Sequence, residues 1–176
     1  MMKRISAMLA ALMLLVGMTP ARAQEERDII MMARFYGAWV YSDTVVTLQR
    51  DGTRLQFDLR MLDNDIKHDP DRVLDFLRTY GLNGTGLIPD VPSPVTLAPM
   101  PADTLAQIEA QLPLLKEQAF ETRFDKTDAG SQLLFALYER DGQSKMTLLR
   151  EDGSYVGESS DPAARRLIAL MAQPME

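Results

Sequence analysis

Three Asp-Gly pairs constrain this chain more than any other feature: Arg50-Asp51-Gly52, Arg140-Asp141-Gly142 and Glu151-Asp152-Gly153 each interrupt a run of alternating apolar and polar residues. Asp-Gly supplies a turn in which the glycine takes positive φ without a Cβ clash, so each pair predicts a reversal between antiparallel strands. Val46 and Leu48 precede the first turn, and Leu55, Phe57, Leu59 and Met61 then alternate with Arg54, Gln56, Asp58 and Arg60. This period of two predicts a hairpin with one wet face. Phe120, Thr122 and Phe124 alternate in the same way with Glu121, Arg123 and Asp125. Leu133 to Tyr138 is a nearly continuous apolar run, which predicts a strand covered on both faces, and Met146, Leu148, Tyr155 and Val156 continue the sheet.

Helical periodicity separates these strands. Asp69-Pro70 and Asp161-Pro162 each place a capping carboxylate before a proline at the first helical position. Val73, Phe76, Leu77 and Tyr80 form the apolar stripe of the first helix, closed by Gly81, and Ala164, Leu167, Ile168 and Met171 form that of the second. A third helix is predicted from about Ala102 to Gln118 on Leu105, Ile108, Leu112 and Leu115, with Pro113 kinking it or ending its regular part. Ile29, Met32, Ala33 and Tyr36 also recur at helical spacing behind Glu25, Glu26 and Asp28, which predicts a short helix stopped by Gly37. Together these elements predict an α+β domain: an antiparallel meander sheet of about six to eight strands, with two or three helices covering one face.

Residues 1–23 read as a secretory signal peptide. Met1-Met2-Lys3-Arg4 is basic, Ile5 to Met18 is apolar, and Ala21-Arg22-Ala23 is a small-residue exit. The apolar core is shorter than the roughly 20 residues of a membrane span, so cleavage near Ala23 is predicted, with no anchor left behind. The leader carries three of the 19 basic residues and none of the 25 acidic ones, so the balance of the mature chain is −9. A body of about 150 residues is the usual size of a single domain, here residues 24–176. The chain has no cysteine, which removes disulfides, thiolate chemistry and the lipid-acceptor residue of a bacterial lipoprotein. Net negative charge disfavours nucleic acid, which demands clustered Lys and Arg. The sequence thus points to a free periplasmic or secreted protein.

The stretch 81–101 holds Gly81, Gly84 and Gly86 and then five of the ten prolines. It is incompatible with a helix and reads as a long loop laid over one domain. Gly81-Leu82-Asn83-Gly84-Thr85-Gly86 lacks the lysine of a phosphate-binding loop.

Phe35-Tyr36-Gly37-Ala38-Trp39, followed by the Asp51-Gly52 turn, resembles the opening of lipocalin-like barrels. The resemblance spans Phe35 to Gly52 and implies a partly closed barrel. In it Gly37 frees the backbone to enter the first strand, Trp39 packs across the closed end, and a cavity takes a small apolar molecule. Helices after Met61 and near Ala102 depart from that pattern. Arg140 and Arg150 are both candidates for the arginine that packs on the tryptophan in that family.

Asp63 to Asp71 gathers oxygen donors around His68, the chain's one histidine. As a calcium loop it fails where Lys67, His68 and Leu74 stand, and one histidine is too few for zinc, so the segment reads as a polar connection ending in a cap. No metal and no cofactor are therefore expected. The serine in Gly153-Ser154-Tyr155-Val156-Gly157 stands one place early for a nucleophile elbow. The function these features favour is an exported, non-catalytic binding or interaction module of the bacterial envelope, engaging a protein or a small apolar ligand through Tyr36, Trp39, Tyr41 and Tyr80. An inhibitor of a basic secreted hydrolase is one version of it. The alternatives are a carboxylate-dependent hydrolase of envelope polymers using Glu121, Asp125 and Glu139, and a purely structural envelope component.

Overall fold

The computed structural model describes residues 28–37, 42–81, 93–116, 120, 122–124, 130–153 and 155–172. The signal segment and residues 82–92 of the Gly/Pro-rich stretch lie outside them. Eight strands make up one antiparallel sheet: β1 (Ile29–Gly37), β2 (Ser42–Gln49), β3 (Arg54–Asp58), β4 (Val95–Thr96), β5 (Arg123–Phe124), β6 (Ser131–Arg140), β7 (Gln143–Asp152) and β8 (Tyr155–Glu158). Their order is β4-β3-β2-β1-β6-β7-β8-β5. Two meanders therefore meet at the centre, where β1 lies antiparallel beside β6. The sheet is open, with the two-residue strands β4 and β5 as its edges.

The Asp-Gly turns fall where the sequence places them. Asp141 (φ 54°) and Gly142 (φ 71°) both occupy the left-handed region between β6 and β7, as a two-residue hairpin turn requires. Gly153, at φ 151°, turns β7 into β8 at a point where a Cβ would come within 2.4 Å of the Gly130 carbonyl oxygen. Both Asp-Pro caps are also present. Asp69 accepts from the backbone N–H groups of Asp71 and Arg72 at the start of α2 (Pro70–Phe76), which follows the single turn α1 (Asn64–Lys67) and continues as a π-helical turn over Leu77–Gly81. Asp161 caps α4 (Pro162–Met171) through the Ala163 N–H at 2.8 Å. Between them α3 (Ala102–Gln111) gives way to a 3₁₀ turn, Leu112–Leu114, at Pro113.

Four expectations are corrected. The helix over Ile29–Tyr36 is instead β1, the central strand. Ile29 to Ala33 are all buried, because a central strand covered on both faces carries a continuous apolar run, and such a run satisfies helical and strand spacing alike. A bulge between Ile29 and Met31 turns Ile30 and Met31 to one face, while Ile29 and Met32 look to the other. Secondly, helices cover both faces of the sheet. α2 packs Val73, Leu74, Phe76 and Leu77 against Met32, Val45, Phe57, Phe135 and Leu137, and α3 and α4 pack Ile108, Ala164, Leu167 and Ile168 against Met31, Ala33, Leu48, Leu134 and Ala136. Thirdly, β3 ends at Asp58 and leaves Met61 63% exposed, because the Arg60 N–H bonds the Asp58 carboxylate at 3.0 Å and bends the chain away. Fourthly, of the alternation from Phe120 to Asp125 the described residues form only β5, paired with β8, and Glu121 and Asp125 lie outside them.

Candidate ligand-binding site

Across the α4 face of the sheet, antiparallel register sets Val46, Ala33, Leu134 and Arg150 in one row over β2, β1, β6 and β7. Phe35 and Gln132 stand opposite one another in the next row. Ala33, the smallest of these, lies at the centre of the first row, so the floor dips where β1 crosses. The last turn of α4 brings Ile168 and Met171 over this dip, and β3 adds Arg54 at the opposite wall from Arg150. The result is a pocket of about 200 Å³ with an apolar floor and an arginine at each side. Phe35 is 39% exposed although it belongs to the most buried strand of the sheet.

The two arginines differ in their partners. Arg150 Nη2 lies 2.8 Å from Asp152 Oδ2, and its Nε lies 3.7 Å from Glu158 Oε1. Arg54 donates from Nη1 to the Ala98 carbonyl at 3.1 Å, its Nε is buried with no acceptor, and among the described residues no carboxylate lies within ion-pair distance of it. Burial without a compensating anion lowers the Arg54 pKa from its usual value. The Pro-rich segment holds this side of the pocket, since the N–H groups of Leu97 and Met100 bond the carbonyls of Arg54 and Gly52, at 3.0 Å each. This answers part of the loop expectation: the described end of that stretch is a strap along β3.

A second polar cluster lies on the opposite, α2 face. Arg34, on β1, pairs with Asp43 on β2 through Nε at 3.0 Å and Nη2 at 2.8 Å, and its Nη1 donates to the Lys67 carbonyl. The guanidinium also lies 5.1 Å from the Tyr36 ring centroid. Every donor face of Arg34 is thereby occupied, and the cluster ties the end of α1 to the middle of the sheet. Its chemistry is that of a satisfied structural pair.

Of the four aromatic residues expected to form a site, the described structure places one side chain, that of Tyr36. Tyr36 stands on β1, 38% exposed, on the face away from the pocket, and it is its neighbour Phe35 that reaches the pocket. Trp39, Tyr41 and the Tyr80 side chain lie outside the described residues. So does the Arg-on-Trp packing of the lipocalin resemblance. Of its two candidates, Arg140 lies 5.3 Å from the Tyr138 ring and donates to the Leu115 carbonyl, while Arg150 lines the pocket. Of the hydrolase carboxylates, Glu139 is exposed on β6, and Glu121 and Asp125 lie outside the described residues. Among the described residues no group of three or more His, Asp and Glu could hold a metal ion.

Arg54, Arg150, Phe35 and Gln132 were not singled out as binding residues by sequence reasoning. On a strand, a half-buried arginine alternating with leucine looks the same as a solvated one, and only the helices laid across that face turn it into a wall. The chain matches no protein-family model, no curated protein and no solved structure.

Proposed function

We propose that the protein is an exported, non-catalytic binding module whose ligand is a small molecule with an apolar body, seated on the α4 face of the sheet. The observation that carries this reading is the pocket of about 200 Å³ floored by Ala33, Val46 and Leu134 and walled by Phe35, Ile168 and Met171. Small-ligand sites are concave, mostly apolar and furnished with a few polar groups, and Arg54, Arg150 and Gln132 are such groups here. A cavity of about 150 Å³ accommodates benzene, so this one suits a body of a ring or a short chain. The lipocalin-like start at Gly37 and Trp39 belongs to the same proposal, with the open sheet and its pocket standing in place of a closed barrel's cavity. The export signal puts the binding event in the periplasm or outside the cell.

The test is titration calorimetry of the mature chain, from Gln24 onward, with 1-octanol. Saturable binding to one site is expected, and Ala33→Leu, which raises the floor, should weaken it at least about tenfold, with circular dichroism checking that the variant keeps the folded spectrum. Absence of binding by the wild-type protein would overturn the reading. N-terminal sequencing of material recovered from the periplasm checks the export part, with Gln24 as the expected first residue.

A further inference from the structure

Apolar lining accounts for the pocket's floor but not for the state of Arg54. This guanidinium is half-buried at the pocket wall, with one hydrogen bond to the Ala98 carbonyl, a buried Nε–H that meets no acceptor, and no carboxylate partner among the described residues. Its neighbours are treated differently. Arg50, whose Nε is likewise buried without an acceptor, has the Glu109 carboxylate 3.3 Å from its Nη1, and Arg150 is flanked by Asp152 and Glu158. Among the described residues Lys67, Arg78 and Arg140 are also half-buried without a carboxylate, but none of them lines the pocket. A buried charge is costly unless it is paired, so an unpaired one at the wall of a ligand-sized pocket marks the place where a ligand brings the counter-charge.

We infer that the pocket takes a small amphipathic carboxylate, its apolar body over Ala33, Val46 and Leu134 and its head at the Arg54 guanidinium. This rests on the reading of the pocket as a ligand site and adds the sign and place of the ligand's charge. Arginine presents several N–H donors in a planar fork that suits a carboxylate, and one of them is already spent on Ala98. The pocket's other surroundings agree with the placement. The last turn of α4 contributes Ile168, Met171 and Ala172, and the carbonyl end of a helix carries partial negative charge, which turns an anionic head away from α4 and toward β3. Arg150, its charge already met by Asp152 and Glu158, has less to gain from an anion. The volume of about 200 Å³ limits the body to roughly six to eight carbons by comparison with the cavity that holds benzene.

Calorimetric titration of the mature chain with octanoate and with 1-octanol separates the two readings, because the probes share a chain and differ in the head. Octanoate is expected to bind about tenfold tighter than octanol or better, as a hydrogen bond to a charged group implies. Arg54→Gln should remove that preference, while changing octanol affinity less than about threefold. Arg54→Lys, which keeps the charge, should retain part of the preference and guards against a folding defect in the glutamine variant. Arg150→Gln should leave the preference in place. Equal affinity for the two probes, or an octanoate preference that survives Arg54→Gln in a folded protein, overturns the inference while leaving the pocket as a ligand site. Binding of neither probe overturns both.

Discussion

Replacing Asp161 should loosen the helix that roofs the pocket. Asp161 is 2% exposed and its two carboxylate oxygens do separate work: Oδ1 accepts from the Ala163 N–H at 2.8 Å as the cap of α4, and Oδ2 accepts from the Lys116 N–H at 2.6 Å, fastening the segment after α3. In Asp161→Ala the lost cap costs about 1 kcal/mol. The Lys116 N–H, left without its acceptor in a partly buried position, adds about 1–2 kcal/mol, at the lower end of the penalty for an orphaned donor. The sum, about 2–3 kcal/mol, corresponds to a fall in Tm of roughly 5–10 °C for a chain of this size. Asp161→Asn separates the two contributions, since asparagine is as good a cap as aspartate but has one carbonyl oxygen and an amide that cannot accept from Lys116. Its Tm should fall between those of wild type and the alanine variant. The assay is thermal unfolding of the mature chain followed by circular dichroism. A fall of less than about 2 °C in Asp161→Ala would refute the assignment of both bonds as structural.

Arg34→Met should be among the most damaging single changes on the α2 face, because it leaves Asp43, whose side chain is 15% exposed, without its cation and the Lys67 carbonyl without its donor. A cost of about 3–5 kcal/mol is expected in urea denaturation, with the double variant Arg34→Met, Asp43→Asn recovering a good part of it; a single-variant cost below about 1 kcal/mol would sink this account. Glu151 offers a pH test: desolvation on β7 raises its pKa above the ordinary 4.5, so the folded state holds its proton more firmly than the unfolded chain does. Stability attributable to this group is present below that ordinary value and lost as pH rises through the raised one, so Glu151→Gln should flatten the stability profile just above pH 4.5 and be no less stable than wild type at pH 7. Asp58, held below its ordinary 3.8 chiefly by hydrogen bonding to Arg60, acts in the opposite sense and in a lower window, so the two effects are separable in one titration.

What could be read from the sequence follows the range of the interactions concerned. Asp-Gly reversals and Asp-Pro caps are set by residues within three or four positions of one another, and the structure has them at Asp141-Gly142, Asp69-Pro70 and Asp161-Pro162. Pro113 ends α3 for an equally local reason. The apolar stretch opening at Ile29 is ambiguous in sequence, because spacing carries no information where every position from Ile29 to Ala33 is apolar; what makes it a strand is pairing with β2 on one side and with β6, a hundred residues on, at the other. The site was less legible still. Nothing in the neighbourhood of Arg54 distinguishes it from Arg60, yet α3 and α4 lie across the face that holds the first, and the second is 59% exposed beside Asp58. The pocket is defined by which small side chain, Ala33, falls between larger ones in a row of four strands, and residue type alone carries no trace of that row.

The anion site proposed at Arg54 looks contradictory in an acidic protein until the distances are weighed. A unit charge 20 Å away in water contributes about 0.2 kcal/mol before screening, so the nine net charges expected of the chain without its leader would oppose an incoming anion by about 2 kcal/mol. With a Debye length of about 8 Å at physiological salt, two and a half screening lengths reduce this to roughly 0.2 kcal/mol. A single guanidinium about 4 Å from a carboxylate at a partly buried wall, with an effective dielectric near 20, has a Coulomb attraction of about 4 kcal/mol before desolvation is subtracted. The local term exceeds the global one by an order of magnitude, so the sign of the pocket is decided by whether Arg54 has a carboxylate of its own and not by the balance of the whole chain. Net charge then acts on solubility and on the encounter rate at low salt, and the proposed selectivity rests on Arg54, which β3 and the strap from Leu97 to Met100 hold in place.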